Sequence, residues 1–408
     1  MTRAPRPAGL TLDDLRRTPN RLAPSYSRFR VAERLLLTGH SHQAWPDVAA
    51  RGVDEALADA AELVDGKWAR AEARAEELRA GVRRLLADPG ADVALGSSTH
   101  DLLVRFLSAL DLGRRPRLVA TDGEFHSARR QLARLAEAGL EVVWVPAEPA
   151  STLAERLAAE VDGRTAAVVV SAVLFETARI VPGLDQLAVA CRAQGAELVV
   201  DAYHALGVLP FELGEQGLAD AHVLGGGYKY LQLGEGCCFL RLPPHAGVWR
   251  PVVTGWFAEP GPLAGPAPSE VAYGSGGDRF AGSTYDPVSH YRAAAVLAFH
   301  VEAGLEPRFL REVSRHQVGR LSRGVDDLDL DPAVLSRDRS VAPADRAGFL
   351  ALRSPVAGTI SAGLAERGVR TDHRGPWLRF GPAPYLDDAQ LDAAVGALGE
   401  VVRGLPRS

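Results

Sequence analysis

Between residues 91 and 242, short apolar runs alternate with amphipathic stretches. Each run has the length of a β-strand and is rich in β-branched residues, which favours strands over buried helices. The runs cover 93–96, 117–121, 141–145, 166–173, 197–202, 222–226 and 237–242, with helices predicted near 99–111, 126–139, 151–160 and 184–194. This alternation predicts an α/β fold with a mostly parallel seven-stranded sheet, whose last strand is the candidate for reversal.

The flanking regions predict a smaller unit around this sheet. A helix is predicted near 48–87, and the Gly- and Pro-rich stretch 243–285 is read as a long ordered loop. Helices near 287–304, 307–325 and 387–403, with a strand pair near 346–353 and 377–380, indicate a small α+β domain. We therefore divide the chain into an N-terminal arm (1–50) that packs on the small domain, a large domain (51–290) and a small C-terminal domain (291–408).

Composition excludes several classes of protein. The chain has 408 residues, of which 47% are hydrophobic and 24% charged, as in ordinary globular proteins. With a net charge of -5, the chain lacks the excess of basic residues that is typical of nucleic-acid-binding proteins. No apolar run approaches the roughly 20 residues of a membrane span, and the first residues lack a secretion signal, so we expect a cytoplasmic protein. The three cysteines, Cys191, Cys237 and Cys238, suit neither a disulfide framework nor a metal site.

The two lysines of the chain are its most unusual compositional feature. They stand among 46 basic residues, so arginine has replaced lysine almost everywhere. Arginine serves wherever only a cation is needed, but it cannot replace a primary amine in chemistry. Lys67 lies in a charged helical stretch and is predicted to be a solvated surface residue. Lys229 follows three glycines at the end of a predicted strand, where the glycines allow close backbone approach to a ligand.

Polar residues cluster at the ends of two predicted strands, in DAYHALG (201–207) and GGGYKYL (225–231). Open parallel sheets bind ligands beyond the carboxyl ends of their strands, so Asp201 and Lys229 should face one crevice. A carboxylate that pairs with a pyridinium nitrogen and a lysine that forms an imine are the groups that bind pyridoxal phosphate (PLP). His204 could reach the ring's edge, and Tyr228 could bind phosphate or relay a proton.

Three further segments suit the same cofactor and its substrate. Ser98 and Thr99 open a predicted helix directly after a strand, where they could bind phosphate as well as cap the helix. Phe125 begins the next helix and could lie on the cofactor ring. Arg379 stands between apolar neighbours in GPWLRFGPAPY, so its buried guanidinium needs an anion, such as a substrate carboxylate.

These segments together resemble those of the kynureninases. GGGYKYLQLGEG resembles the family's lysine segment, VDAYHALG its Asp-x-x-His strand end, TGWF (254–257) its Gly-Trp segment, and RTDHRGPWLRFGPAPYLDD its C-terminal Arg-Phe-Gly segment. The resemblance runs in the same order from about residue 39 to the end. It implies a PLP-dependent enzyme of the class V aminotransferase group, with the fold known as type I among PLP enzymes.

The resemblance also implies roles for individual residues. Lys229 would carry the cofactor, Asp201 would pair with the pyridine nitrogen and Phe125 would stack on the ring. The other implied contacts are Ser98, Thr99 and Tyr228 at the phosphate, His204 beside the ring, Arg379 at the substrate carboxylate, and His40 and Ser41 within the substrate-facing segment 39–46. Trp256 and Thr284 would reach across a dimer interface to contact the cofactor, as in relatives, so a homodimer is expected.

Departures from the family pattern concern the substrate pocket. The family follows its stacking phenylalanine with Pro-Thr-Asp, whereas this chain has His-Ser-Ala at 126–128. The family's Ser-Asn-Pro-Pro turn, whose Asn helps to recognise the aryl group, is Ser-Thr-Tyr at 283–285. A histidine expected before the sheet region has no clear match in ELVDGKWARAEA. The cofactor chemistry is therefore retained while the aryl pocket is rebuilt.

The sequence thus predicts a PLP enzyme that acts at the β-carbon of an amino acid, with Lys229 taking the α-proton. Hydrolytic carbon–carbon cleavage, as in kynureninase with Tyr228 as proton relay, and β-elimination of a sulfur group are equally open. Class V aminotransfer would use the same groups. Cysteine-desulfurase-type transfer is disfavoured because no cysteine lies in the C-terminal half of the small domain. A non-catalytic binding protein on this fold would be expected to have lost Lys229, Asp201 or Arg379, and all three are present.

Overall fold

The structure is a computed structural model that describes residues 9–261 and 270–406. Parts of the predicted arm (1–8), of the predicted loop (262–269) and of the C-terminus (407–408) lie outside the described residues. The helices are α1 (Leu12–Arg16), α2 (Val48–Leu63), α3 (Trp68–Leu85), α4 (Thr99–Ala109), α5 (His126–Glu137), α6 (Leu153–Ala159), α7 (Leu184–Gln194), α8 (Val288–Glu302), α9 (Pro307–Asp327), α10 (Ala357–Glu366) and α11 (Asp388–Arg403). The strands are β1 (Leu35–Leu36), β2 (Asp92–Gly96), β3 (Arg117–Thr121), β4 (Glu141–Val145), β5 (Thr165–Ser171), β6 (Glu197–Asp201), β7 (His222–Gly226), β8 (Cys238–Leu242), β9 (Leu350–Arg353), β10 (Val369–Arg370), β11 (Asp372–Arg374) and β12 (Trp377–Phe380).

The large sheet has the seven strands that the apolar runs predicted. Its order is β2-β8-β7-β6-β5-β3-β4. Only β8 is antiparallel to its neighbours, so the predicted reversal of the last strand is confirmed. Strands β3, β5, β7 and β8 are buried along their whole length because helices cover both faces, which explains their continuous apolar sequences.

The topology brings the carboxyl ends of the parallel strands to one edge of the sheet. Since β8 runs antiparallel between β2 and β7, those two strands point the same way as β3, β5 and β6. The turns that carry Ser98, Phe125, Asp201 and Lys229 therefore start from the same edge. This is the place where open α/β sheets bind ligands.

The helix predicted over 48–87 is two helices in the structure. Helices α2 and α3 are separated by a 3-10 turn at Val64–Lys67. Val64 takes a φ of 50°, a left-handed conformation in which a β-branched residue cannot continue an α-helix. The break lets both helices pack against α8. The amphipathic pattern continues across the turn, so the sequence did not reveal it.

The small unit contains a three-stranded antiparallel sheet, β11-β12-β9, where the sequence predicted a strand pair. The missed strand β11 reads Asp-His-Arg and lacks an apolar signal. Residues from the N-terminal segment, including Leu15, Tyr26 and Leu37, share one hydrophobic core with helices α9 and α11. Strand β1 also pairs in parallel with β10. The N-terminal segment therefore packs on the C-terminal part of the chain.

None of the helices in the described ranges combines the length and the apolar character that a membrane span needs.

Candidate active site

Lys229 lies just beyond β7 and only 5% of it is exposed. Its Nζ is 2.8 Å from Nε2 of His204, 4.4 Å from the ring centroid of Tyr203 and 5.3 Å from that of Phe125. Burial lowers the pKa of Lys229 to about 7; the charge of Asp201 opposes this shift and that of Arg379 adds to it. A large share of the amine is therefore neutral near pH 7, the form in which an amine is nucleophilic.

Asp201 is the last residue of β6, the strand next to β7. Its Oδ1 accepts a hydrogen bond of 2.8 Å from the backbone N–H of Tyr203. Burial raises the pKa of Asp201, while that hydrogen bond and the positive charge of Lys229 act in the opposite direction. The structure thus places Asp201 and Lys229 in one crevice, close enough for the charge of each to shift the pKa of the other.

Glu124 is a second buried carboxyl group at this edge of the sheet, and the sequence analysis missed it. It directly precedes Phe125 and is 2% exposed. Its oxygens accept hydrogen bonds from the backbone N–H (3.0 Å) and Oγ (2.6 Å) of Ser171, at the end of β5. Burial raises the pKa of Glu124 to about 8, and the negative charge of Asp201 pushes it the same way. Glu124 is therefore mostly protonated near pH 7. Its position directly before the expected stacking aromatic, Phe125, was the signal in the sequence that could have pointed to it.

Ser98 and Thr99 begin helix α4 at the same edge. The Oγ of Ser98 accepts a 3.1 Å hydrogen bond from the backbone N–H of Asp101, so Ser98 caps the helix. Other N–H groups of the first turn have no partner within the helix, as at every helix start. The capping role and the predicted phosphate contact are compatible, because the helix end presents several donors.

Tyr228 lies beside the lysine, between two other rings. Its ring centroid is 4.9 Å from that of Tyr203 and 4.8 Å from that of His42, on which it stacks. Burial raises the pKa of Tyr228 to about 12. The Oγ of Ser41 is 3.3 Å from Nδ1 of His42, and the backbone N–H of Gln43 donates to the carbonyl of Tyr228 at 3.2 Å. The predicted substrate-facing segment 39–46 therefore runs next to Tyr228.

Arg379 is 3% exposed, and the anion that its burial requires is supplied by the chain itself. Its Nε and Nη2 donate to the two carboxylate oxygens of Asp372 at 2.9 and 2.5 Å, and its Nη1 donates to the carbonyl of Phe175 at 2.5 Å. These bonds use three of the five N–H groups of a guanidinium. A substrate carboxylate would bind the remaining N–H groups of an arginine that Asp372 already holds in place.

His40 completes this group. Its Nε2 is 2.7 Å from Oδ1 of Asp372, and burial lowers the pKa of His40 to about 4. Because His40 is then neutral near pH 7, its Nε2–H must donate to the carboxylate. The ring also packs on Phe349, 4.6 Å between centroids, and Phe349 in turn lies 6.0 Å from His204. His40 therefore contacts Asp372 and, through Phe349, the lysine site.

Trp256 and Thr284 lie together but apart from Lys229. The indole Nε1 of Trp256 donates to Oγ1 of Thr284 at 3.3 Å, and Trp256 is 45% exposed. Within the described residues, neither forms a hydrogen bond or ring contact with the side chains around Lys229. A single chain does not bring them into the site, so their cofactor contact stays a prediction for a dimer.

Two of the glycines before Lys229 make room for aromatic side chains, a role that the sequence did not reveal. A Cβ on Gly226 would lie 2.5 Å from the ring of Tyr203, and one on Gly225 would lie 2.6 Å from the ring of Phe239. The space that these glycines leave is therefore filled by aromatic side chains of the chain itself. The close approach of a ligand to the backbone at these glycines stays a prediction.

All three cysteines are buried and free. Burial raises the pKa of Cys191 and of Cys238 to about 12 and that of Cys237 to about 11. Thiols of this kind stay protonated near pH 7 and are inert as nucleophiles.

The fold is shared with solved structures of low sequence identity. A mutant of the enzyme C-DES with glycine covalently linked to its PLP cofactor matches with a TM-score of 0.81 at 17% identity, over 92% of this chain and 98% of that chain. The chain has the type I fold of PLP-dependent enzymes. The complex of the cystine C–S lyase C-DES with its product cysteine persulfide matches with a TM-score of 0.78 at 18% identity, over 91% and 98% of the two chains. The apo cysteine desulfurase of Thermococcus onnurineus NA1 matches with a TM-score of 0.78 at 18% identity, over 95% and 99%.

No protein-family model matches the chain, and no curated protein sequence matches it significantly.

Proposed function

We propose that this chain is a PLP-dependent enzyme of the class V aminotransferase group that acts at the β-carbon of an amino acid. The observation that carries the proposal is the buried amine of Lys229, over the ring of Phe125 and beside His204, with Asp201 at the end of the adjacent strand. Imine formation needs such an amine, and ring protonation needs such a carboxylate. The same edge provides the start of helix α4 for a phosphate.

Two buried polar atoms support a ligand at this position. Nδ1 of His204 and the hydroxyl of Tyr203 have no hydrogen-bond partner among the described residues. Buried polar groups are nearly always satisfied, so an unpaired cluster next to Lys229 fits the polar groups of a bound cofactor or substrate.

When bound, PLP supplies an electron sink that stabilises negative charge on the substrate's α-carbon. The residues of the chain would act around it. Asp201 would keep a proton on the ring nitrogen, Arg379 would orient the substrate carboxylate, and Lys229 would take the α-proton through Nζ. His204, at 2.8 Å, would fix the direction of that amine.

For the step at the β-carbon we propose elimination of a sulfur group. The fold neighbours named above include a cystine C–S lyase and a cysteine desulfurase. A desulfurase mechanism that passes sulfur to a protein cysteine needs an accessible thiol, and all three thiols here are buried. Release of a sulfur-containing product to solvent is therefore the better fit.

Hydrolytic cleavage of a kynurenine-like substrate is the second candidate. It is favoured by the segments GGGYKYL, TGWF and RTDHRGPWLRFG and by the position of Tyr228 beside Lys229. The three solved structures named above are not kynureninases, so this candidate depends on the sequence segments and on that position of Tyr228.

We further propose that the enzyme is a cytoplasmic homodimer. Trp256 stands near other exposed apolar residues in sequence, with Val252 82% and Val248 77% exposed. Exposed apolar side chains of this kind are candidates for a protein interface. Sedimentation should give twice the mass of one chain, and a monomer that turns over substrate at full rate would contradict the dimer.

The decisive experiment has two parts. Purified protein should show a visible imine absorbance, and borohydride should attach the cofactor to the peptide that contains Lys229; absence of both refutes the proposal. Next, the enzyme is incubated with cysteine S-conjugates, L-kynurenine and 3-hydroxykynurenine. Pyruvate with a free thiol indicates the lyase, and anthranilate or its hydroxylated relative indicates the hydrolase. Keto-acid formation that depends on an amino acceptor would indicate an aminotransferase instead.

A further inference from the structure

A small cavity of about 130 Å³ lies in the C-terminal part of the chain, between helix α9 and the segment 337–347. Five arginines line it: Arg311, Arg315, Arg323, Arg337 and Arg346. The other lining residues are apolar, or are glycine and serine, and no acidic side chain lines the cavity within the described residues.

Helical spacing places three of the five arginines of α9 along one face. Arg311 and Arg315 are four residues apart, Gly319 follows at the same spacing, and Arg323 comes next. Residues at this spacing are neighbours on a helix, and like charges there repel. Gly319 has no side chain, so it leaves room between the guanidinium groups. The helix therefore carries a concentrated positive charge against a concave surface.

Carboxylates neutralise little of this charge. Of the five cavity arginines, only Arg337 forms an ion pair with the described residues, and its partner is Asp326. Arg311 donates instead to the backbone carbonyls of Arg346 and Ala344, each at 2.7 Å.

The remaining three arginines also lack a carboxylate partner. Arg346 is 5% exposed, and it donates to the backbone carbonyl of Asp338. Arg315 and Arg323 form no hydrogen bond or ion pair with the part of the chain that the structure describes. Both are exposed at the rim of the cavity, so their N–H groups are available to a ligand.

The lowered pKa values of the partly buried Arg311 and the buried Arg346 are those expected of arginines without a counter-ion. Burial lowers the pKa of Arg311, and the charge of Arg315 lowers it further, against a weaker opposing effect of Asp345. Burial likewise lowers the pKa of Arg346, which Asp338 opposes, and Arg337 is among the cations that lower it. A bound anion would stabilise all of these charges.

We propose that this arginine cavity is a binding site for a small oxyanion, either inorganic phosphate or the phosphate group of a small phosphate ester. Guanidinium groups bind phosphate through two parallel hydrogen bonds, and a group of them favours a dianion. The cavity is well below the roughly 300–1,000 Å³ typical of sites for drug-sized ligands, so it suits one phosphate group and not a nucleotide.

The test is calorimetric titration of the cofactor-loaded protein with inorganic phosphate, at an ionic strength held constant with chloride. Loading fills any cofactor phosphate site before the titration. The wild type should show saturable binding, and the double variant Arg315→Gln/Arg323→Gln should bind at least about tenfold more weakly. Arg51→Gln, which removes an exposed charge from α2, is the matched control and should bind like the wild type.

Several outcomes would overturn the proposal. They are non-saturable binding by the wild type, equal affinity in the double variant, and an equal loss in Arg51→Gln. Unfolding temperatures without phosphate show whether the double variant remains folded, and we expect no decrease because two repelling charges are removed. A titration with glycerol phosphate then distinguishes a phosphate ester from free phosphate. The substituted arginines lie outside the lysine site, so the comparison holds whether or not the chain binds PLP.

Discussion

At the scale of single residues, burial decides the properties of Lys229. The side chain reaches a position between the rings of Tyr203 and Phe125, where a charged amine loses most of its hydration. The amine therefore holds its proton weakly, whereas a lysine on the surface would stay charged. The other lysine, Lys67, lies over the ring of Trp68 and remains partly exposed.

Exchanging each lysine for arginine tests this difference. Lys229→Arg should lower turnover at least about a thousandfold and remove the imine absorbance, because a guanidinium cannot form the imine. Lys67→Arg, the matched control, should leave both unchanged. Steady-state assays and visible spectra measure the effects. Substantial turnover by Lys229→Arg would mean that the lysine has no covalent role.

Glu124 leads to a pH-dependent prediction. Its pKa rises from 4.5 in the unfolded chain to about 8 in the folded protein, so between these values the folded state holds a proton that the unfolded state has released. The burial of Glu124 therefore destabilises the fold increasingly as the pH rises from 4.5 to 8.

We expect Glu124→Gln to be more stable than the wild type at pH 8, by a few kcal/mol at most, with the difference vanishing towards pH 4. Denaturant unfolding of the cofactor-free protein at several pH values measures this. Glu366→Gln, at an exposed position, is the control and should show no such trend. A constant difference across the pH range would argue against the buried neutral acid.

At the scale of elements, the strand ends and the helix starts build the site. Strands β3, β6 and β7 each deliver one candidate site residue within a few residues of their carboxyl ends. The limits of these strands were predicted closely, since the apolar runs end at polar residues. The turn between α2 and α3 was missed, because it depends on the backbone conformation of Val64 and not on a change of polarity.

Ser98 offers a test of the helix start. Ser98→Ala should reduce the free energy of unfolding by about 1 kcal/mol through loss of the cap, and it should also weaken PLP binding. Asp387 caps helix α11 in the same way, with a 2.9 Å bond to the backbone N–H of Gln390. Asp387→Ala should lose similar stability but retain cofactor affinity, as measured by absorbance titration. Equal cofactor affinity in both variants would mean that Ser98 only caps the helix and does not bind the cofactor's phosphate.

At the scale of the whole molecule, Asp372 joins distant parts of the chain. It bridges His40 of the N-terminal segment and Arg379 of the C-terminal sheet, while Arg379 reaches the carbonyl of Phe175 beyond strand β5. A guanidinium held this way would be fixed before the proposed substrate arrives. Such preorganisation lowers the cost of binding.

Asp372→Asn should therefore raise the KM for the amino-acid substrate by about tenfold or more, with a smaller effect on kcat, because the neutral amide holds Arg379 less firmly. The chain provides a matched control in Asp388, which bridges His316 and Arg320 in the same manner. Asp388→Asn should leave KM unchanged. Unchanged KM in Asp372→Asn, or an equal rise in both variants, would contradict the positioning role.

The sequence by itself determined the strands of the large sheet and the reversed strand β8, and it predicted Lys229 and Asp201 as site residues. Each of these depends on local information: apolar runs end at polar residues, and arginine cannot substitute for an amine. The α/β class was predicted from the same pattern and the type I fold from the resemblance to the kynureninases, and both are confirmed.

Only the tertiary structure decided which partners these residues meet. Asp372 pairs with Arg379 across two strands, Glu124 meets Ser171 from another strand end, and the five cavity arginines converge from a helix and a loop. The contacts of Glu124 and of the cavity arginines have no local signal, because they join segments whose separation in sequence does not fix their distance in space. Asp372 and Arg379 face each other within one hairpin, but their contacts with His40 and Phe175 join distant segments. Burial, which sets the protonation of Lys229 and Glu124, likewise exists only once the chain has folded.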